Sequence, residues 1–333
     1  MKKIKKKKMT KKLNVLSLFD GIGTGYQVFK DLGYSVNYYA SEINEDAILV
    51  AKKNHPDLIE LGDVTKVSYS DGILYYGDGQ QLEVDQIDVL IGGSPCQDLS
   101  NQKRDGKGLE GEKSSLFFDY LRLFHQTQPK YFLLENVKMK DKDKNRISEY
   151  LGVQPHNINS ELLSAQKRDR LYWTNIPNVT QPKDKGIKLQ DIIEGGYTER
   201  DKSLCITESV SRIVPSPNGF RRYMMGFGQL IFDSKGEYDK IVGNDKSKYS
   251  KIMRNWNKSI PLVEGVHTPK VRQLTPNEVE QLQTLPKDYT YVKELYYSSK
   301  GYNKNRGDTK RRSLMGDGWT KDVIVHIMKN MEF

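Results

Sequence analysis

Cys96 is the residue whose type and position point most directly to chemistry. It follows Pro95 in the run "IGGSPCQDLS", directly after an apolar stretch that reads as a β-strand. A thiolate is a strong nucleophile once its pKa falls, although a free cysteine is more often a buried apolar side chain. Its position at the carboxyl end of a strand favours the nucleophile. The polar, glycine-rich stretch 97–115 that follows is typical of a lid over a site.

Four acidic residues, Asp20, Glu42, Asp63 and Glu135, also stand at the ends of predicted strands. In an open α/β sheet, ligands bind beyond the carboxyl ends of the strands. Glu42 could bind ribose hydroxyls there, and Asp63 could accept from an adenine amino group. Glu135, in an apolar setting, would have a raised pKa and could donate a proton. Each acid alone could be a helix cap, but together they outline a pocket for a nucleoside-bearing cofactor.

Two further patterns flank these acids. "FDGIGTG" (19–25) is a turn whose glycines allow close approach of backbone to a ligand, although an ordinary tight turn remains an alternative. Its spacing is not that of the dinucleotide-binding GxGxxG. In "SAQKRDRLYW" (164–173), Gln166, Arg168 and Arg170 alternate on one face of a predicted strand. Two guanidinium groups there could hold a carbonyl or a phosphate, and a solvated basic face is the alternative.

The elements that position these residues alternate along the chain. Strands are predicted at 13–19, 36–42, 59–64, 86–93 and 130–137, with helices at 48–54 and 115–128. This alternation predicts an α/β fold with a doubly wound, mostly parallel sheet.

The chain changes character after residue 177. The stretch 178–270 is polar and weakly periodic, which predicts a smaller irregular domain with short strands such as 229–232. A helix that begins near Pro276 and a closing helix at 316–331 are expected to return to the first domain. The predicted organisation is a disordered basic tail at 1–12, a catalytic domain at 13–177, the irregular domain at 178–270 and a segment at 271–333 that completes the catalytic domain.

Composition narrows the class of protein. The net charge is +10, but eight lysines lie within residues 1–12, so the rest is only mildly basic. No apolar run is long enough for a transmembrane helix, and no apolar region follows the basic start as in a secretory signal. Two cysteines make no disulfide framework, which favours a reducing, cytoplasmic setting. The five histidines lack metal-ligand spacing, so we expect no metal.

Eight segments, taken in order, resemble the motifs of the DNA (cytosine-5) methyltransferase family. The resemblance covers 13–177 and 271–331 and is closest in wording to the animal de novo enzymes, without implying an animal origin. The segments are "FDGIGTG", "SEIN", "GDV", "GGSPCQDLS", "ENV", "QKRDR", "RQLTPNEVEQLQ" and "GDGW". The resemblance implies a Rossmann-like, class I S-adenosylmethionine-dependent methyltransferase fold. It also implies that 178–270 is a target recognition domain.

The same resemblance implies the reaction. Cys96 would attack C6 of a cytosine while Glu135 donates a proton to N3, which makes C5 nucleophilic. C5 would take the methyl group of S-adenosylmethionine and leave S-adenosylhomocysteine, and loss of the C5 proton and of Cys96 would restore the ring. Because none of this can occur inside a stacked duplex, the cytosine must be flipped out.

The resemblance assigns supporting roles as well. Arg168 and Arg170 would hold the base O2 and the surrounding loop, Gln166 would support that loop, and Asn136 would orient Glu135 or Pro95. Asp317 stands where much of the family has asparagine. The residues assigned to the cofactor pocket are Phe19, Asp20, Gly21, Ile22, Gly23, Thr24, Glu42, Ile43, Asp63, Val64, Leu116, Asp317 and Trp319.

The sequence therefore predicts a cytosine-5 methyltransferase acting on double-stranded DNA, associated with the nucleoid and monomeric by default. Cytosine-5 methylation of transfer RNA and a catalytically silent DNA-binding regulator remain alternatives. A nicotinamide dehydrogenase is disfavoured by the glycine spacing and by the Pro-Cys pair. Restriction-linked, orphan, viral and epigenetic roles are equally compatible with the sequence.

Deletion of residues 2–12 should weaken nonspecific DNA binding and flatten its salt dependence, because each lysine that neutralises a phosphate releases a counterion. We expect methyl transfer to persist in the shortened chain. Fluorescence anisotropy with a duplex at several salt concentrations gives the slope of log affinity against log salt. A slope equal to that of the full chain would contradict contact between the tail and DNA.

Overall fold

The computed structural model describes residues 12–95, 116–207, 219, 222–223, 226, 228–241 and 270–333. Cys96, the predicted lid and the lysines before Lys12 lie outside these residues. Contacts divide the chain into two compact units. The first contains Met1–Ile158, Asp169–Pro182 and Lys321–Phe333, and the second contains Asn159–Arg168 and Lys183–Thr320.

The elements of the described residues are as follows. The strands are β1 (Leu13–Leu18), β2 (Val36–Ser41), β3 (Ile59–Glu60), β4 (Ser68–Ser70), β5 (Ile73–Tyr76), β6 (Gln80–Glu83), β7 (Val89–Gly92), β8 (Tyr131–Val137), β9 (His156–Asn159), β10 (Asp169–Thr174), β11 (Ile231–Phe232), β12 (Val271–Arg272), β13 (Tyr297–Ser298) and β14 (Gly301–Tyr302). The helices are α1 (Thr24–Asp31), α2 (Glu45–Asn54), α3 (Leu116–Thr127), α4 (Asp141–Leu151), α5 (Leu189–Ile192), α6 (Lys235–Ile241), α7 (Pro276–Leu282), α8 (Lys304–Asp317) and α9 (Lys321–Met328).

A seven-stranded sheet organises the first unit, in the order β3-β2-β1-β7-β8-β10-β9. Strands β3, β2, β1, β7 and β8 pair in parallel, and β10 runs antiparallel to β8. Every residue of β1 and β7 is buried, as expected for parallel strands covered on both faces. The predicted α/β class with a doubly wound, mostly parallel sheet is confirmed.

The core of this unit joins the sheet to α3. Leu16 and Leu90 from the strands pack in one cluster with Phe117, Tyr120 and Trp173. A buried indole needs a hydrogen-bond acceptor, and Nε1 of Trp173 donates to Oγ of Ser148 at 2.9 Å. A separate antiparallel sheet, β4-β5-β6, lies between β3 and β7 in sequence and was not predicted.

Two predicted strands are shorter than expected. The strand at 59–64 ends at Glu60, because Asp63 caps a 3-10 turn at Val64–Lys66. The strand predicted within 164–173 begins only at Asp169, after a 3-10 turn at Ser160–Leu162. The expected alternation of Gln166, Arg168 and Arg170 on one strand face is therefore wrong, since the first two residues precede the strand.

Helices α7 and α8 belong to the second unit and pack on each other. Thr275 and Glu278 form the capping box that begins α7, and Pro276 occupies its first turn. The carboxylate of Glu278 also pairs with both terminal nitrogens of Arg272 at 2.8 Å. The predicted helix near Pro276 is confirmed.

The unit boundaries differ from the predicted domain boundaries. The second unit includes 159–168 and extends to Thr320, so the chain returns to the first unit only at Lys321. The physical reason is that α7 and α8 pack within the second unit, whereas α9 packs on α1. Lys321 pairs with Asp31 of α1. The expected packing of a closing helix on the first unit is confirmed for α9. Within the described ranges, no helix is long and apolar enough to cross a membrane.

Gly25→Ala tests how tightly the turn after β1 is packed. A Cβ at Gly25 would overlap the Tyr38 hydroxyl and lie 2.6 Å from Cδ1 of Ile91. We expect the free energy of unfolding to fall by about 1–3 kcal/mol, measured by chemical denaturation. Gly236→Ala in α6 is the matched control, since its Cβ would meet only Oγ of Ser234 at 3.8 Å. Equal stability of the two variants would contradict the packing argument.

Candidate active site

The turn between β1 and α1 presents its backbone at the carboxyl end of the sheet. Phe19, Gly21 and Gly23 all have positive φ angles, of 57°, 64° and 77°. At Gly21 a Cβ would meet nothing within 4 Å, so the space beside this residue is open to a ligand. At Gly23 it would lie 2.9 Å from Cδ2 of His55, so this glycine is required by packing. A non-glycine residue with positive φ, such as Phe19, is a form of strain found at functional sites.

Asp20 carries an unusual carboxyl group within this turn. Its Oδ1 accepts from Oγ of Ser17 and from the hydroxyl of Tyr38, both at 2.6 Å. Its buried Oδ2 has no hydrogen-bond partner among the described residues. Burial raises the pKa of Asp20 to about 6, and the nearby Glu42 also raises it. Oδ1 of Asp20 therefore ties the turn to β1 and β2.

Glu42, at the end of β2, ties the turn to the start of α2. Its Oε2 accepts from the backbone N–H of Gly21 at 2.8 Å. Its Oε1 accepts from the N–H groups of Ile43 and Asn44, both at 2.8 Å. A carboxylate has about four acceptor positions, so three amide bonds leave capacity for a ligand hydroxyl.

Glu60 at the end of β3 completes the cluster, and the sequence reasoning missed it. Its Oε1 accepts from the N–H groups of Glu42 at 3.1 Å and Gly62 at 3.2 Å. Burial raises the pKa of Glu60 to about 7, with further contributions from Asp20 and Glu42. Three carboxyl groups, from the ends of β1, β2 and β3, thus crowd one edge of the sheet, and a bound cation would relieve their mutual repulsion.

The remaining residues predicted for the cofactor occupy several settings. Asp63 caps the turn after β3, with its Oδ1 accepting from N and Oγ1 of Thr65 at 2.9 Å. Val64 is a core residue, whereas the side chain of Ile43 is 73% exposed. Oγ1 of buried Thr24 has no partner in the part of the chain that the structure describes.

Five other residues predicted for the cofactor differ in how far they are buried and in the unit to which they belong. Ile22 is buried, and Phe19 and Leu116 are partly buried against the core. Asp317 ends α8 and is exposed, and Trp319 is half-buried. Asp317 and Trp319 belong to the second unit, whereas the residues of the acidic cluster belong to the first.

Glu135 forms an ion pair between β8 and β10, the two strands of the sheet that run antiparallel to each other. It lies opposite Tyr172 in the β8–β10 ladder, so Arg170 is its diagonal neighbour on the same face. The Nε of Arg170 lies 3.0 Å from Oε1 of Glu135, and the two side chains are only 12% and 11% exposed. The expected apolar setting of Glu135 is therefore wrong, because β10 brings a guanidinium to it.

Asn136 anchors the chain just before the predicted nucleophile. Its Nδ2 lies 3.2 Å from both the carbonyl oxygen and Oγ of Ser94 and donates to them. Its Oδ1 accepts from the N–H of Val137 at 2.8 Å. Asn136 thus holds the residue before half-buried Pro95, and the position of Cys96 lies outside the described residues. Ser94 was not singled out from the sequence.

Arg168 and Gln166 are built into the second unit. The buried Arg168 donates from Nη1 to the carbonyl oxygens of Ile206 at 2.9 Å and Gly316 at 3.3 Å. Gln166 is fully buried and joins the same region, accepting from the N–H of Ile206 at 2.7 Å. Its Nε2 donates to the carbonyl of Leu282 at 3.3 Å. Within their unit, both side chains hold distant segments together.

The site residues that sequence reasoning missed share one property. Tyr38 and Glu60 lie within strands, and Ser94 follows one. At such positions a polar residue resembles the polar side chains that alternate with apolar ones along any half-buried strand. The available signal was that each stands within a few residues of a strand's carboxyl end. In the part of the chain described here, no group of three or more His, Cys, Asp or Glu residues could hold a metal ion.

Comparison with known proteins gives a consistent result. A family model described as C-5 cytosine-specific DNA methylase matches residues 13–331. The type II methyltransferase M1.ScrFI of Lactococcus lactis subsp. cremoris is 28% identical over 305 residues, which span 84% of this chain and 71% of that protein. The type II methyltransferase M.HpaII of Haemophilus parainfluenzae is 26% identical over 307 residues, spanning 84% of this chain and 82% of that protein.

A solved structure shares the fold. The Dnmt2 methyltransferase of S. pombe aligns with a TM-score of 0.56 at 14% identity, over 95% of this chain and 97% of that one.

Glu60→Gln tests the electrostatic crowding of the three carboxyl groups. Because the pKa of Glu60 rises from its usual 4.5 to about 7 on folding, the folded chain binds this proton more tightly than the unfolded chain. The associated stability is present below pH 4.5 and is lost as the pH rises through 7. The variant keeps the oxygen acceptor without the charge. Its stability relative to the parent should therefore be about 1 kcal/mol more favourable at pH 8 than at pH 5, after allowance for solvent screening.

Denaturant unfolding at the two pH values measures this difference, with Glu83→Gln on the exposed end of β6 as the control. The same pH response in both variants would show that Glu60 does not carry the effect.

Proposed function

Because the chain belongs to the C-5 cytosine-specific DNA methylase family, we propose that it transfers a methyl group from S-adenosylmethionine to C5 of cytosine in double-stranded DNA. The observation that carries the proposal is the pairing of Glu135 with Arg170 beside the Asn136–Ser94 anchor. This arrangement fixes a carboxyl group and the start of the Cys96 loop on neighbouring strands of one sheet.

Covalent addition is the central step of the proposed mechanism. The Cys96 thiolate bonds to C6 of a flipped cytosine while Glu135, whose carboxylate pairs with Arg170, passes a proton from solvent to N3, which makes C5 a nucleophile. After methylation, a solvent water takes the C5 proton and the C5–C6 double bond re-forms. The thiolate leaves, and the N3 proton returns to solvent through Glu135. Arg170 acts as a positioning residue that holds Glu135 in one orientation through the 3.0 Å ion pair.

The acidic cluster supports the choice of cofactor. S-adenosylmethionine supplies, when bound, a methyl group on a positively charged sulfonium. Glu42 would accept from ribose hydroxyls, the open backbone at Gly21 would admit the methionine part, and the exposed Ile43 would pack on adenine. Positive charge on the cofactor would offset the repulsion that raises the pKa values of Asp20 and Glu60. In this proposal Phe19, Asp63, Val64 and Leu116 complete the pocket.

We assign DNA sequence recognition to residues 178–270. Arginine and lysine side chains contact phosphates and guanine edges in DNA interfaces. Arg222 is exposed, as this role requires, while Arg212, Arg221 and Arg254 lie outside the described residues. The cytosine would be flipped out of the duplex, and the stretch 97–115 would close over it. A restriction-linked role is consistent with the type II methyltransferases to which the chain is similar.

Transfer of labelled methyl from S-adenosylmethionine tests the function. We expect label in duplex DNA at cytosines of one short sequence, located by sequencing, and none in transfer RNA. Cys96→Ser should abolish transfer while cofactor affinity, measured by calorimetry, stays within about twofold. Cys205→Ser is the matched control for the other cysteine and should keep activity.

The remaining outcomes separate the alternatives. Label only in transfer RNA would replace DNA with RNA as the substrate. No label in either would favour a silent DNA-binding regulator. Normal transfer by Cys96→Ser would overturn the covalent mechanism.

A further inference from the structure

One segment of the second unit combines positive charge with aromatic side chains. Residues 287–312 hold eight Lys and Arg residues against three Asp and Glu residues, a net charge of +5, and five tyrosines. Outside this segment and the lysine-rich start, the chain is slightly acidic. Interleaved basic and aromatic residues are typical of surfaces that bind single nucleic-acid strands.

A cavity of about 360 Å³ lies on this segment, between the start of α7, the β13–β14 hairpin and α8. Its aromatic lining is formed by Tyr291, Tyr296 and Tyr302. The rings of Tyr296 and Tyr302 are parallel within 8°, with centroids 5.8 Å apart, and Tyr291 lies 5.4 Å from Tyr296. Tyr296 is buried, but Tyr302 is 60% exposed and Tyr291 is 47% exposed. The cavity therefore offers two accessible aromatic rings on a rigid base.

Two neighbouring arginines line the same cavity and differ in their partners. Arg311 is saturated, since Nη2 lies 2.8 Å from Oε1 of buried Glu280 and 3.3 Å from Oδ1 of Asp288. Arg312 is only 9% exposed, and its Nε has no hydrogen-bond partner among the described residues. Its Nη2 donates to Oγ1 of Thr309 at 3.3 Å. Because Arg312 lines the cavity, its guanidinium group places a positive charge there that can attract an anionic oxygen of a ligand.

The acidic residues that line the cavity have partners other than Arg312. Oδ1 of Asp308 accepts from the hydroxyl of Tyr296 at 2.9 Å, and Asp288 pairs with Arg311. Lys304 at the start of α8 adds an exposed positive charge at the rim. A ligand that contacts both the tyrosines and Arg312 would carry a planar ring that stacks on the tyrosines and a negatively charged oxygen that pairs with Arg312.

We propose that this cavity binds one nucleotide unit of a nucleic-acid strand, with the base against Tyr302 and the phosphate at Arg312 and Lys304. The site is separate from the acidic cluster and from the Glu135–Arg170 pair, which belong to the first unit. The proposal rests on the proposed function only for its source of nucleic acid, namely an unpaired or displaced strand of the DNA substrate. A nucleotide held here would add affinity without reading the base sequence, because every base can stack.

Fluorescence anisotropy with a labelled single-stranded oligonucleotide and the full chain tests the proposal. Tyr302→Ala removes an exposed ring and should weaken binding about tenfold. Lys304→Ala should lower the slope of log affinity against log salt by about 0.7, the value for one phosphate of a single strand. Tyr75→Ala is the matched control, since this tyrosine is exposed on β5 in the other unit, and it should bind like the parent.

Binding of Tyr302→Ala and Lys304→Ala that equals the parent's would overturn the site. Competition distinguishes the two sources of a nucleotide. Displacement of the probe by unlabelled oligonucleotide, but not by the same nucleotide concentration of adenosine 5′-monophosphate, supports a strand. Equal displacement by the mononucleotide would overturn the strand and leave a free nucleotide as the ligand. Methyl transfer is measured separately, so loss of the methylation proposal leaves this binding result intact.

Discussion

The pairing of Glu135 with Arg170 is the interaction on which one half of the carboxyl-terminal edge of the sheet depends. Both side chains are nearly withdrawn from water, and removal of one partner from such a pair costs about 3–5 kcal/mol because the other charge is left uncompensated. Only an antiparallel β10 in this register places Arg170 diagonal to Glu135. Because β10 runs antiparallel to β8, Arg170 supplies the cation that pairs with Glu135.

The opposite half of the same edge has the reverse electrostatic character. Within the described residues, Asp20, Glu42 and Glu60 accept hydrogen bonds from hydroxyl groups and backbone N–H groups, which provide much of their stabilisation. Amides stabilise a carboxylate less completely than a guanidinium does, which is consistent with the raised pKa values of Asp20 and Glu60. One sheet thus carries a carboxylate paired with a guanidinium group and, on other strands, a cluster of carboxyl groups held by backbone N–H groups.

Much of this arrangement could be predicted from sequence because it depends on local order. Alternating strands and helices predict the parallel sheet, and strand ends predict where Asp20, Glu42 and Glu135 lie. The failures concern contacts between residues far apart in the chain. Gln166 is separated from Leu282 by 116 residues and Arg168 from Gly316 by 148, and no local pattern indicates those hydrogen bonds. Glu60 was missed because its role is to hold the backbone of Glu42, which depends on strand pairing rather than on a motif.

Four buried or nearly buried arginines carry the same charge but differ in how many of their N–H groups have a hydrogen-bond acceptor. Arg170 and Arg311 are nearly buried, and each has a carboxylate that accepts from its guanidinium group. Buried Arg168 donates from Nη1 to two backbone carbonyls, but its Nε has no hydrogen-bond partner among the described residues. Arg312 adjoins Arg311 in α8 and is almost as buried, yet one of its donors faces no acceptor. Two adjacent arginines in the same helix thus differ within the described structure, because Glu280 accepts from Arg311 while Nε of Arg312 has no acceptor.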